Sequence, residues 1–273
     1  MQEPTECGGF ALTDVGREVV SGKGRQLMDN PLLEVTQSNW WEQSFPVLDH
    51  GYLRYVEHWG SDERIVESAR MSTGKGHKGW GTPETPGDEK LLAYLYEHRH
   101  HSPFEMAGLT LEVQAPIFVF REWHRHRTQS YNEMSSRYVP LPDVNYVPTV
   151  ERLQMRSATN KQAQGVVGAP ELSSMSAESF RQDLLRNYRQ AQELYEQALA
   201  AGIAKELARV HLPVGRYSRM RASANLRNWL AFLTLRMDPA AQWEIREYAC
   251  QLGSFIERLY PRTWKLFVNG LHE

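Results

Sequence analysis

The stretch EVQAPIFVFREWHRHRTQSYNEMSSRY, residues 112–138, decides how the rest of the chain is read. Its run from Ala115 to Phe120 carries no polar side chain. Directly after it come Arg121, Arg125 and Arg127 with His124 and His126 among them, then Ser130, Tyr131, Asn132, Glu133, Ser135, Ser136 and Arg137. A solvated face needs no such apolar anchor. Three arginines within seven residues repel one another unless an anion or a carboxylate lies between them, and Glu122 and Glu133 offset only part of that charge. The stretch reads as a pocket for an anionic ligand, with an ion-pair network at a subunit interface as the alternative. Locally, 109–120 reads as a strand passing into a buried apolar element. A helical phase from Pro116 would set Glu122 and His126 on one face, and Arg121 and Arg125 on another.

The remainder of the chain narrows the class. At 273 residues it can bury a sizeable core in one domain. A formal net charge of −2 gives no global pull toward nucleic acid or membrane, so anion binding must be local. No run approaches the roughly 20 apolar residues of a membrane span, and the N-terminus lacks the basic and apolar regions of a signal peptide. Cys7 and Cys250 are the only cysteines; they argue against a disulfide scaffold and suit a reducing, cytoplasmic location. Residues 1–44, broken by glycines, read as an N-terminal extension. Residues 45–265 read as a single catalytic domain and 266–273 as a C-terminal tail.

Within that domain Tyr52–Val56 reads as a strand, and Ser61 or Asp62 caps a helix carrying Ile65, Val66 and Ala69. The glycines from Gly74 to Gly81 fit no phosphate-loop spacing and read as a lid or surface loop. A helix from Asp88 presents Leu91, Leu92, Tyr94 and Leu95 and ends near His98-Arg99-His100-His101; no metal-site spacing accompanies those histidines. Residues 159–175 read as a surface insertion. The following helix, capped by Ser176, is expected to pack its Phe180, Leu184, Tyr188 and Leu194 face on another helix. A short helix from Ile203 to Val210, one from Asn225 through Leu235, and one started by Asp238-Pro239 and closed by Pro261 complete the pattern. A mixed N-terminal half and a helical C-terminal half give one α+β unit. Arg216, Arg219 and Arg221 read as surface or interface residues.

Arg125-His126-Arg127, seven residues, then Ser135 match the RHR-x7-S signature, and the chain here resembles the flavin-dependent thymidylate synthases. VLDHG at 47–51, SARMS at 68–72, HSPFE at 101–105, ARVHLP at 208–213 and NLRNWLAFLTLRMDPAAQWEI at 225–245 extend the likeness over roughly 45–265. The resemblance implies a central, mostly antiparallel sheet flanked by helices. It implies an enzyme that converts dUMP to dTMP with methylenetetrahydrofolate as carbon donor and FAD reduced by NADPH. It also implies a homotetramer with active sites at subunit interfaces. By this likeness Ser72, His100, Ser102, Arg125, His126, Arg127, Glu133, Asn225 and Arg227 would hold the flavin. Glu122, Glu133, Ser135, Ser136, Arg137, Arg209 and Arg236 would meet dUMP, with Arg236 stabilising charge on the pyrimidine and Ser135 positioning rather than attacking. No metal is expected, nor a cysteine nucleophile. Three positions depart from the family pattern: Glu122 where Gln is frequent, Ala231 where some members have Asn, and Ala240 where His is common.

Overall fold

A computed structural model describes residues 40–156 and 170–271. Most of the expected N-terminal extension, residues 157–169 of the expected insertion and its flank, and the last two residues of the tail lie outside that range. Five strands form the sheet: β1 (Ser44–Val47), β2 (Gly51–Trp59), β3 (Gly108–Pro116), β4 (Ser130–Glu133) and β5 (Tyr217–Asn225). Their order is β1-β2-β3-β5-β4 and every neighbouring pair is antiparallel. The helices are α1 (Asp62–Arg70), α2 (Asp88–Glu97), α3 (Ile117–Trp123), α4 (Val150–Gln154), α5 (Ser174–Ala200), α6 (Lys205–Ala208), α7 (Leu226–Arg236), α8 (Trp243–Leu259) and α9 (Pro261–Gly270). This is the α+β arrangement expected, with a helical C-terminal half.

Period-two alternation builds the sheet's two faces. Leu53, Leu109, Leu111, Val113, Ala115, Met220, Ala222 and Ala224 point into a core completed by Trp229 and Phe232 of α7 and by Ile245, Tyr248, Leu252 and Phe255 of α8. The opposite face is polar: Glu112 accepts from Tyr52 Oη at 2.9 Å and from Arg54 at 2.8 Å. Gly51 is required where β2 starts, because a Cβ there would run into Tyr248 Oη and the Val47 carbonyl. Asp62, buried in the first turn of α1, accepts from Arg262 N, Thr263 N and Thr263 Oγ1 at 2.8, 3.2 and 2.6 Å, tying α1 to the start of α9.

Several expectations are corrected. Arg216 is fully buried, donating to Pro142 O at 2.9 Å and Gln192 Oε1 at 2.8 Å, and is no surface residue. Ser173, not Ser176, caps α5, its Oγ accepting from Ser176 N at 3.1 Å. Of the apolar face of α5, Tyr188 and Tyr195 are buried, but Phe180 is 49% and Leu194 53% exposed, so the described residues cover only part of that face. The segment expected at 203–210 is helical only over α6. Asp238 makes a turn, accepting from Ala240 N at 2.7 Å, and α8 starts five residues later at Trp243. Pro261 closes α8 but also opens α9, which buries Phe267. The glycine-rich loop is anchored at both ends: Asp88 accepts from Arg70 Nε at 2.9 Å and Lys78 N at 2.5 Å, and Trp80 Nε1 donates to Glu63 at 3.0 Å. Cys250 lies in α8, and Cys7 lies outside the described residues. Among the described residues no helix is long and apolar enough to cross a membrane, and no group of side chains could hold a metal ion.

Candidate active site

The apolar run at 115–120 ends β3 and opens α3, so Val119, Phe120 and Trp123 sink into the core and the polar residues beyond them emerge at one end of the sheet. The turn that follows is tied down from four sides. Trp123 Nε1 donates to Gln129 Oε1 at 3.0 Å, and Tyr131 Oη donates to His126 O at 2.6 Å. Burial pushes the Tyr131 hydroxyl up to about 12, so it remains a donor. Asn228 Nδ2 donates to Thr128 O at 2.9 Å. Arg236 donates from Nη1 to Glu122 Oε2 at 2.8 Å, from Nη2 to Glu122 O at 3.0 Å and from Nε to His126 Nε2 at 2.9 Å. Asn228, Phe232 and Arg236, four residues apart, form one ridge of α7, and Phe232 lays its ring 4.7 Å from that of His126. Because Nε2 of His126 accepts, its proton belongs on Nδ1 and the ring is neutral. Burial and then the neighbouring Arg236 lower its pKa to about 4, Glu122 opposing them.

Two cavities flank this turn in sequence. The first, about 390 Å³, is lined by Ile117, Phe120, Met134 and Leu141 and by Arg121, His124, Glu133, Ser135, Ser136, Arg209 and Ser218. Arg209 Nη1 donates to the buried Ser136 Oγ at 2.7 Å, which fixes the guanidinium at the cavity wall. The second, about 440 Å³, lies between α1 and residues 100–106, with Ser68, Ser72, His100 and Ser102 on its rim. His98, beside it, stacks on Tyr94 with ring centres 4.0 Å apart.

The expected site residues therefore separate. Glu133, Ser135, Ser136 and Arg209 share the first cavity; Ser72, His100 and Ser102 share the second. Glu122, His126 and Arg236 form a cluster lining neither. Glu122, expected at the nucleotide, pairs with Arg236. Arg125 and Arg127 are exposed, and among the described residues no carboxylate pairs with them or with Arg121. Arg137 lies off the first cavity, 3.5 Å from Glu206 in an exposed pair of little energetic weight, with its N–H on Ser135 Oγ at 3.3 Å. Asn225 caps α7, its Oδ1 accepting from Asn228 N at 3.0 Å. Arg227 pairs with Glu105, next to the second cavity. Ala231 is exposed on α7. Among the described residues no histidine bonds to Ser135 Oγ. Arg121, His124 and Ser218 were given no role by the sequence; the arginine surplus pointed toward Arg121, but nothing pointed toward Ser218.

A donor-rich cavity of this size suits a small phosphorylated ligand, since guanidinium forks and hydroxyls match phosphate oxygens. Ser68, Ser72, His100 and Ser102 give the second cavity polar groups that a flavin could meet, while Arg125 and Arg127, which line neither cavity, keep their charge unpaired among the described residues. Comparison with known proteins agrees with the geometry. The family model described as "Thymidylate synthase complementing protein" matches residues 54–262. The chain is 40% identical over 227 residues to the flavin-dependent thymidylate synthase of Anaplasma marginale (strain St. Maries), covering 83% of this chain and 75% of that one. It is 37% identical to that of Thermosipho africanus (strain TCF52B), covering 82% and 94%. Among solved structures, it resembles a UMP/dUMP methylase, PolB from Streptomyces cacaoi, bound with 5-Br UMP, at 33% identity and a TM-score of 0.69, covering 82% and 96%. The same enzyme bound with 5-Br dUMP matches at 33% and 0.69 over 80% and 95%.

Proposed function

The chain belongs to the flavin-dependent thymidylate synthase family, and from that premise we propose that it methylates dUMP to dTMP, drawing the carbon from methylenetetrahydrofolate and using FAD reduced by NADPH. The observation that carries the reading is the first cavity, where Arg209 is braced on Ser136 beside Arg121, which among the described residues pairs with no carboxylate. A monophosphate fills such a space, and the apolar wall of Ile117, Phe120 and Leu141 suits a flat ring. The solved relatives hold 5-Br UMP and 5-Br dUMP, so UMP is the second reading for the nucleotide.

Bound flavin would supply the hydride chemistry, and Ser72, His100, Ser102, Arg125, His126, Arg127 and Arg227 would hold it. Neutral His126 offers an Nδ1–H donor and no charge. Arg236, oriented through three bonds to Glu122 and His126, would place fixed positive charge where a pyrimidine carbonyl gains electron density. Ser135 positions the nucleotide. Cys250 lines neither cavity, so thiolate attack on the pyrimidine is not part of the proposal.

The separation of the Arg236 cluster from the first cavity supports active sites completed by neighbouring subunits of a homotetramer. The exposed apolar side chains of α5 offer surface for such packing. Purified protein should be yellow, and NADPH should bleach it faster when dUMP is bound. A colourless protein to which added FAD does not bind overturns the proposal.

A further inference from the structure

Ser218 is a polar residue in an apolar row. It lies on the face of β5 shared by Met220, Ala222 and Ala224, all buried. It is 1% exposed, and its Oγ has no hydrogen-bond partner. An unpaired buried hydroxyl is a standing penalty to the folded chain, because water bonds to it in the unfolded one. Alanine at this position would complete the apolar row without that penalty. The hydroxyl also lines the first cavity.

Its surroundings identify what it faces. The β4–β5 ladder ends at Glu133↔Met220, and Met134 N donates to Arg219 O at 2.7 Å, carrying the register one residue further. Continued by one more, this brings Ser135 level with Ser218. Ser135, Ser136, Arg209 and Ser218 thus share one wall, and that wall is rich in donors. Phosphate oxygens only accept, so a phosphoryl group is the ligand that satisfies all four at once.

We propose that Ser218 binds the phosphoryl group of the pyrimidine nucleotide, its Oγ donating to a phosphate oxygen; the inference rests on the nucleotide reading of this cavity. The test is Ser218→Ala in the full-length, flavin-loaded protein. Calorimetry would compare dUMP with 2′-deoxyuridine, which lacks the phosphate, and thermal unfolding would be followed without nucleotide. Loss of one hydrogen bond to a charged group should weaken dUMP about tenfold. Deoxyuridine binding should not move, and the unliganded midpoint should stay level or rise.

Unchanged dUMP affinity in the variant would assign the hydroxyl to a trapped water and overturn the proposal. So would an equal loss for both ligands, which places the contact on the base or sugar, or a lowered unliganded midpoint, which reveals a structural partner. Wild-type protein that binds no dUMP would instead bring down the nucleotide reading itself, and Ser218 with it.

Discussion

Arg209 and His126 show how single side chains are prepared for their tasks. Arg209 is held by one bond to a buried serine, and a hydrogen bond to a charged group contributes on the order of 1.5–3 kcal/mol. A bond of that strength from Arg209 to a phosphate oxygen would be lost in Arg209→Ala, which should weaken dUMP by about ten- to hundredfold; calorimetry that finds the affinity intact contradicts its place at the phosphate. His126 makes a prediction about pH. Its pKa falls from 6.5 to about 4 in the fold, so between those values the unfolded chain takes up a proton that the native chain refuses. Stability should fall as pH drops from 6.5 toward 4, should not change on this account above 6.5, and should level below 4. Half-exposure of the ring keeps the effect modest. Urea unfolding of wild type against His126→Gln reads it: the variant should show the shallower slope in that window, and identical slopes would mean that the imidazole is protonated in the fold.

At the scale of elements, α7 organises the turn. Its ridge of Asn228, Phe232 and Arg236 grips residues 122–128, while Leu235, on another face, is 61% exposed. Phe232→Ala should cost about 3–5 kcal/mol, as a large ring is lost from a packed core, and should also release bound flavin. Leu235→Ala should change stability by no more than about 0.5 kcal/mol. Equal costs in urea unfolding would show that the ridge does not hold the turn. The same elements explain what could be read from sequence. α8 was legible because Ile245, Tyr248, Leu252 and Phe255 recur at helical spacing, and α3 because its apolar run follows a strand. β5 was not. SRMRASAN does alternate, yet its inner positions are Ser, Met and two Ala, too small and too polar to signal a buried strand, and its arginines imitate a solvated loop. Asp238-Pro239 carried a helix-start signal that the chain uses for a turn. In the site, the arginine surplus and the RHR-x7-S spacing were visible. The orphaned hydroxyl of Ser218 was not, because a serine gains meaning there only once its neighbours are known to be buried.

For the molecule as a whole, the expected site residues divide among two cavities, one separate cluster and several side chains outside all three. If neighbouring chains complete each site, Arg209→Ala and Arg236→Ala, each impaired alone at dUMP too dilute to saturate the Arg209 variant, should recover activity when co-expressed, since mixed assemblies contain sites with both arginines intact. Recovery no greater than the sum of the two variants would place both residues in sites built by one chain. The central claim is that this fold exchanges the hydrogen at C5 of dUMP's pyrimidine for a methyl group, and tritium release from 5-tritiated dUMP tests it most directly. Release should follow dTMP formation one for one with methylenetetrahydrofolate and NADPH present, and Cys250→Ser protein should retain it. Flavin-loaded protein that binds dUMP yet releases no tritium under those conditions would contradict the claim.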